Sequence, residues 1–406
     1  MVSIYQIALR SFRAEGTLKA AEEMLPYVKE CGFDTVYLCP MFETDADPDL
    51  STWSPRQRGS FTNNPKNPYK MADYNRVDIE YGSNADLRRL IQTAHGLGLK
   101  VLLDLVYLHC GRNAVFLKEH PDWVELEDGC PKVGERWPFA RINYQSEGVR
   151  EYLWDNMVSL IRDFDADGFR CDVGDKVPLD FWAEGKRRIR AVKPEAMLLN
   201  EGKDPAYLEV FDLNYFAGLA AVKDVLRKGE DPAPVLKKWW PTAQEGKTIH
   251  YFENHDLASD SGLNRWDSKV EEAFTRLYLV MMYTLPGVPM LFNGNEFADT
   301  AEQNMFSNRF YGKRVGLDWA KLLLPRGRER RALVQRLNEL RKTYPALQTG
   351  ALDFAEAPSR CVCYRRGDLT VWLNFGEEAV PLPAGTVILG ENYDTALNPN
   401  GFVIVK

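Results

Sequence analysis

Hydrophobic positions along the first three quarters of the chain alternate between two periods. Continuous apolar runs at 4–9, 35–41, 100–107, 166–172, 196–201, 209–214, 247–253 and 288–293 have the length and Val, Leu, Ile and Phe content of strands buried on both faces. Between them apolar residues recur at spacings of three and four. Leu87, Leu90, Ile91, Ala94 and Leu97 form one such set, Tyr152, Leu153, Met157, Leu160 and Ile161 a second, and Ala273, Phe274, Leu277, Tyr278 and Met281 a third. That spacing places an apolar stripe along one side of a helix. Eight strands alternating with helices predict an α/β fold, a TIM (β/α)8 barrel. No G-x-G-x-x-G follows any strand, which argues against an open dinucleotide-binding sheet.

Two connections are too long for plain strand-to-helix loops: 43–74, rich in Pro, Asn, Asp and Ser, after the second strand, and 108–145 after the third. Beyond the helical 326–342 the period changes to two, as in 360–365 and 369–374, which predicts a closing antiparallel β domain. The expected organisation is a barrel in two parts, 1–107 and 146–345, a small inserted loop domain at 108–145, and a C-terminal β-sandwich at 346–406.

Composition narrows the function. With 51 basic and 58 acidic residues among 406, and a net charge of −7, no positive field is available to attract nucleic acid or anionic lipid. The most apolar stretch, 277–292, is shorter than the ~20 residues of a spanning helix and is interrupted by Pro286, Gly287 and Pro289. The first ten residues have neither a basic nor an apolar leader region, so a cytoplasmic protein is expected, although a secreted form with its signal removed would look the same. Seven cysteines, with Cys39 and Cys171 inside apolar runs, point to reduced thiols.

In a barrel of this kind chemistry gathers where strands end. The third ends Asp104-Leu-Val-Tyr-Leu-His109, the fourth Gly168-Phe-Arg170-Cys-Asp172, the fifth Asn200-Glu201, and the seventh leads into Asn254-His255-Asp256. Three carboxylates, Asp172, Glu201 and Asp256, thus converge with two histidines and an arginine. Such a set suits glycoside hydrolysis, in which one carboxylate attacks the anomeric carbon and another protonates the leaving oxygen. Asp172 and Glu201 are the expected pair. Arg170 is expected to keep Asp172 ionised, and a less solvated Glu201 to hold a proton.

Asp-Leu-Val-x-x-His, Gly-Phe-Arg-x-Asp, a Glu ending the next strand and Asn-His-Asp, in this order, resemble the conserved regions of the α-amylase family, glycoside hydrolase family 13. The likeness extends to Tyr69-Lys-Met-Ala-Asp-Tyr74 and to 287–296, and the run 172–182 is similar to neopullulanases and cyclomaltodextrinases. The resemblance implies Asp172 as nucleophile, Glu201 as general acid/base and Asp256 as transition-state stabiliser. It further implies that Arg170 orients Asp172, that His109 and His255 bond the sugar, that Tyr69 stacks beneath it, and that Asp104 supports Arg170. The implied function is a retaining hydrolase of α-1,4 links in starch-derived glucans or maltodextrins, with a neutral α-glucan as its partner. An α-1,6-acting, exo-acting or transglycosylating relative, or a non-catalytic carbohydrate-binding one, are the alternatives.

One departure concerns metal. Where many members carry the Asn that binds a structural calcium, this chain has Leu108, which offers no oxygen to a hard cation. No cofactor is required, and calcium at that position is not expected. No second histidine stands at zinc-ligand spacing, and His95, His120 and His250 read as structural. Among aromatics, Trp53, Trp123, Trp137 and Trp266 are candidates either for outer sugar platforms or for packing, whereas Trp154 and Trp182 fall on helical patterns and are expected in the core.

Overall fold

The structure is a computed structural model that describes residues 1, 3–134, 137–215, 218–228, 230–240, 246–259, 265–313 and 316–406. Eight parallel strands close into a barrel: β1 (Ile4–Ile7), β2 (Thr35–Leu38), β3 (Lys100–Leu105), β4 (Gly168–Cys171), β5 (Met197–Asn200), β6 (Leu213–Tyr215), β7 (Thr248–His250) and β8 (Val288–Phe292). Each pairs with its neighbours in sequence, and β1 closes the ring by lying between β2 and β8, with Ile4 opposite both Thr35 and Met290. Seven of the eight lie within the apolar runs and are shorter than them, because those runs continue past the last ladder bond into the loop that carries polar groups; β6 lies at the end of its run, 209–214, and extends one residue beyond it, to Tyr215.

The helices outside the barrel bury the stripes that the spacing predicts. Helix Asn84–Gly96 buries Leu87, Leu90, Ile91 and Ala94, and starts at a reciprocal cap in which the Ser83 hydroxyl accepts from the Asp86 N–H and the Asp86 carboxylate accepts from the Ser83 N–H. Helix Glu147–Phe164 buries Leu153, Met157, Leu160 and Ile161 and ends on Asp165 in the left-handed region. Trp154 and Trp182 are both in the core. Each such side chain removed from water is worth about 1.5–3 kcal/mol, so the stripes and not intrinsic propensity hold these helices in place.

Six antiparallel strands close the chain: β9 (Leu352–Phe354), β10 (Cys361–Arg366), β11 (Leu369–Asn374), β12 (Val380–Pro381), β13 (Val387–Tyr393) and β14 (Ala396–Val405). The sequence predicts a sandwich; hydrogen bonding instead joins all six in one sheet, because the ten-residue β14 pairs with β11, β12 and β13 together. Its inner face, with Val362, Val371, Leu373, Phe402 and Ile404, shares one core with the barrel helices. Arg276 and Glu391 add a two-pronged ion pair across the junction, at 2.6 and 2.8 Å.

Candidate active site

At the C-terminal ends of β3, β4 and β5 a single guanidinium gathers three carboxylates. Arg170, fully buried on β4, lies in register with Asp104 on β3. Its Nη1 donates to Asp104 Oδ1 at 2.6 Å and to Asp172 Oδ1 at 2.9 Å. Its Nη2 lies 2.6 Å from Glu201 Oε2. Asp104 also accepts from the Tyr37 hydroxyl at 2.6 Å. Gly168 makes this register possible: at φ +144° an added Cβ would stand 2.1 Å from the Met197 carbonyl oxygen on β5, so no other residue lets these strands meet. Just past Asp172, Val173 sits at φ +43°, costly for a β-branched residue. In that conformation its N–H donates to Glu201 Oε2 at 3.0 Å, tying the two strand ends together.

One positive charge among three buried or half-buried carboxylates does not neutralise them. Burial lifts Asp104 to about 6 although Arg170 and the Tyr37 hydroxyl oppose it. Burial also lifts Asp172 well above the ordinary carboxylate range; Arg170 opposes, while Glu201, Asp104 and Asp256 add to the rise. This corrects the sequence expectation on two counts. Arg170 contacts Asp172 but does not hold its carboxyl low, and Glu201 is the better solvated of the pair, with its side chain 21% exposed against 8% for Asp172. The raised carboxyls are Asp104 and Asp172, which share the Arg170 Nη1.

Asp256 has different surroundings. It lies in the first turn of the short helix His255–Ser259, and Arg56 Nη1 donates to its Oδ1 at 2.5 Å. Burial works to raise this carboxyl, but His255 when protonated, then Arg56 and Arg170, outweigh it and hold it at about 2. His255 is placed otherwise than the resemblance implies. Its Nδ1 meets Gln6 Nε2 at 2.7 Å and its Nε2 meets the Tyr69 hydroxyl, with the two rings stacked at 5.6 Å. Both nitrogens are thus engaged by protein, and burial pushes the ring down to about 4. His109 is likewise lowered to about 4 by burial, and its Nδ1 has no hydrogen-bond partner among the described residues.

Asp172, Glu201, Asp256, Tyr69 and His109 all line one open cavity of about 550 Å³; its walls include Arg56, Trp137, Phe139, Met305 and Phe306. Arg170 and Asp104 lie beneath the floor, and His255 behind Tyr69.

Residues 6–127 match the family model of the α-amylase catalytic domain. The chain is 29% identical over 417 residues to the α-amylase MalA of Haloarcula japonica, covering 94% of this chain and 57% of that protein. It is 24% identical to the maltogenic α-amylase of Bacillus acidopullulyticus, covering 91% and 64%, and 26% identical to a cyclomaltodextrinase of a Bacillus species, covering 87% and 64%. The chain is thus similar to α-amylase-family proteins over most of its length. It spans 57–64% of the length of these three relatives. Its fold superimposes on the crystal structure of an α-amylase from Lactobacillus plantarum with a TM-score of 0.80 at 24% identity, covering 99% and 98% of the two chains.

Within this barrel the long loops hold what the motifs do not reveal. Of the four loop tryptophans, only Trp137 lines the cavity. Trp53 is buried with Nε1 donating to the Asp47 carbonyl at 2.8 Å, Trp266 is buried with Nε1 on Thr275, and Trp123 packs on His120. Arg56, Gln6, Tyr37 and Val173 are functional neighbours that sequence reasoning misses. The one available signal for Arg56 is its place in the 43–74 connection. That connection is pinned from below by buried Lys70, which donates to Thr52 Oγ1 at 2.9 Å and lies 3.7 Å from Asp45, itself an acceptor for Asn113 of the inserted segment. Among the described residues no helix is long and apolar enough to cross a membrane.

Proposed function

We propose that this chain is a retaining glycoside hydrolase that cleaves α-1,4 links in starch-derived glucans or maltodextrins through a covalent glycosyl-enzyme intermediate. The observation that carries the reading is the grip of Arg170 on Asp172 and Glu201, which holds both carboxylates in one cavity and at one strand end each. A guanidinium that contacts both carboxylates through its two terminal nitrogens keeps them near each other, which supports the close-range arrangement of retaining enzymes, about 5–5.5 Å, over the wider one that leaves room for an inverting water.

In this mechanism Asp172 attacks the anomeric carbon while Glu201 delivers a proton to the departing glycosidic oxygen. Glu201 then takes a proton from water, which opens the glycosyl ester and restores Asp172. Glu201, the more exposed of the two carboxylates, is the proton donor to the leaving oxygen, and Asp172 beside it is the nucleophile. Ionised Asp256 and Arg170 set the field in which the cation-like transition state forms. Tyr69, held by His255, offers its ring face to the sugar, and neutral His109 offers a ring nitrogen.

The reading requires no cofactor. Leu108 is buried in the apolar core, and among the described residues no group of three or more His, Cys, Asp or Glu side chains is placed to hold a metal ion. The residues at the family's calcium position do not fit that ion, and we propose that none binds there. Seven unpaired cysteines, six of them buried, support a reducing cytoplasmic setting.

Time courses of products from maltooligosaccharides, pullulan and soluble starch test the function. Early shorter maltooligosaccharides from starch are expected. Maltotriose as the main product of pullulan would favour α-1,6 specificity, products longer than the starting oligosaccharide would favour transfer, and absence of turnover on all three would overturn the reading.

A further inference from the structure

A fully buried amide, that of Gln6 on β1, stands inside the barrel. Ile4 of the same strand packs with Tyr37, Leu102, Leu199, Ile249 and Met290 of five other strands, and the period of two puts Gln6 on the same face. A glutamine among apolar side chains costs free energy unless its polar atoms are bonded. Gln6 Nε2 bonds with both hydrogens: it donates to His255 Nδ1 at 2.7 Å and to Cys39 Sγ at 3.6 Å, while Gln6 Oε1 has no hydrogen-bond partner among the described residues. Turning the amide over would leave both N–H donors unpaired instead of one oxygen, and buried unpaired N–H groups are the rarer and costlier case.

The other end of this chain of bonds points the same way. His255 Nε2 meets the Tyr69 hydroxyl, and that hydroxyl donates to Asp104 Oδ2 at 3.3 Å. An ionised carboxylate can only accept, so the Tyr69 hydrogen goes to Asp104 and the Tyr69 oxygen accepts from His255. His255 Nε2 also lies 3.6 Å from Asp256 Oδ2, where a ring N–H is attracted and a lone pair repelled. Nε2 therefore carries a hydrogen. With Asp104 and Asp256 both on that side, the ring would gain by taking a second proton on Nδ1, but the Gln6 N–H occupies that position.

We propose that Gln6 is a positioning residue that holds His255 as the neutral ring with its hydrogen on Nε2, and through that hydrogen fixes the Tyr69 ring in the cavity wall. The proposal rests on the glucan-cleaving function above and adds what the buried amide does for it. A neutral ring behind Tyr69 leaves the field of Asp172 and Asp256 undiminished where the cation-like sugar forms, whereas an imidazolium would oppose that charge. Burial of His255 acts in the same direction, against the charged ring. The Tyr69 and His255 rings lie within 17° of parallel, so a turn of one displaces the other.

The test is nitrogen NMR of the full chain carrying isotope-labelled histidine, with the His255 signals identified by their loss in His255→Gln. At neutral pH the wild type should show one protonated and one bare ring nitrogen, the hydrogen being on Nε2; a hydrogen on Nδ1 alone, or a doubly protonated ring, overturns the proposal. Gln6→Glu keeps the shape and replaces the donor by an acceptor. Its ring should be charged at neutral pH, and kcat on maltooligosaccharides should fall about 10–100-fold with a much smaller change in KM. An anionic neighbour raises the ring's pKa, so the ring discharges as pH rises, and the ratio of variant to wild-type kcat should climb with it. The other groups facing the ring, Asp256, Tyr69, Arg170 and Arg56, with Asp104 beyond Tyr69, are the same in both proteins, so the ratio isolates the change at position 6. Gln6→Met has neither donor nor acceptor and serves if the glutamate variant does not fold: its ring should stay charged to higher pH than that of the wild type. Ring titration unchanged in the variants, or a fall in kcat independent of pH, overturns the proposal and leaves Gln6 a packing residue. Should the wild type cleave no maltooligosaccharide, the function fails by itself, and the ring spectra alone decide the role of Gln6.

Discussion

Arg56 holds Asp256 at two points, with Nη1 on the carboxylate Oδ1 at 2.5 Å and Nη2 donating to the Asp256 carbonyl at 2.9 Å. The pair joins the loop after β2 to the segment after β7, so two walls of the cavity are braced through the carboxylate nearest its mouth. After His255, it is the main reason that Asp256 stands at about 2 while Asp104 and Asp172 are raised.

Replacing Arg56 by Gln removes that support. A carboxyl whose folded value lies below its ordinary 3.8 contributes stability that is present above about pH 4 and lost as pH falls through about 2. The variant should show a smaller stability loss than wild type between pH 4 and pH 2, measured as the urea midpoint at each pH. Its kcat/KM on maltooligosaccharides should drop on the order of tenfold, as expected for a charge-assisted bond that positions a reacting group.

Asp104 does not line the cavity, but it accepts from the Tyr69 hydroxyl at 3.3 Å and balances Arg170. Asp104→Ala leaves the buried guanidinium with two carboxylates and frees the Tyr37 hydroxyl from its acceptor. We expect a stability loss of about 2–3 kcal/mol, read by chemical denaturation, together with a fall in kcat larger than the change in KM. Full stability with lost turnover would make Asp104 a direct participant instead.

Glu201→Gln removes the proposed acid while keeping the shape. Rates on substrates with poor leaving groups should fall about 10²–10⁴-fold, and activated aryl glycosides, which need no proton at the leaving oxygen, should lose far less in the first step. Equal losses on both substrates would remove Glu201 from the acid role.

Leu108 predicts indifference to chelators. Dialysis against a calcium chelator should leave the melting temperature and the rate unchanged, and restoring calcium should add nothing. A fall in melting temperature reversed by calcium would reveal a site formed by other residues.

The barrel is legible in the sequence because each strand is buried on both faces and each helix on one, so the two periods stand out over the whole chain. The positions of the proposed reacting carboxylates are legible because strand ends fix them: Asp172 follows β4 and Glu201 follows β5 whatever the loops do. The surroundings are not. Arg56 approaches Asp256 across 200 residues, Gln6 reaches His255 across 249, and no local spacing encodes either pairing. Trp53 and Trp137 stand in loops of similar composition, yet one is buried and the other faces the cavity. The raised Asp172 carboxyl escapes sequence reasoning for a related reason: Arg170 two residues away is visible, whereas burial and the sharing of that guanidinium with Asp104 and Glu201 belong to the folded chain.

The central claim, a covalent path through Asp172, is tested most directly by trapping the intermediate with a 5-fluoro-α-glycosyl fluoride and mapping the modified peptide by mass spectrometry. The account predicts one glycosyl adduct per chain, confined to the peptide that contains Asp172. An adduct on a peptide carrying Glu201 or Asp256, or turnover that releases the β-anomer first with no adduct formed, would contradict it.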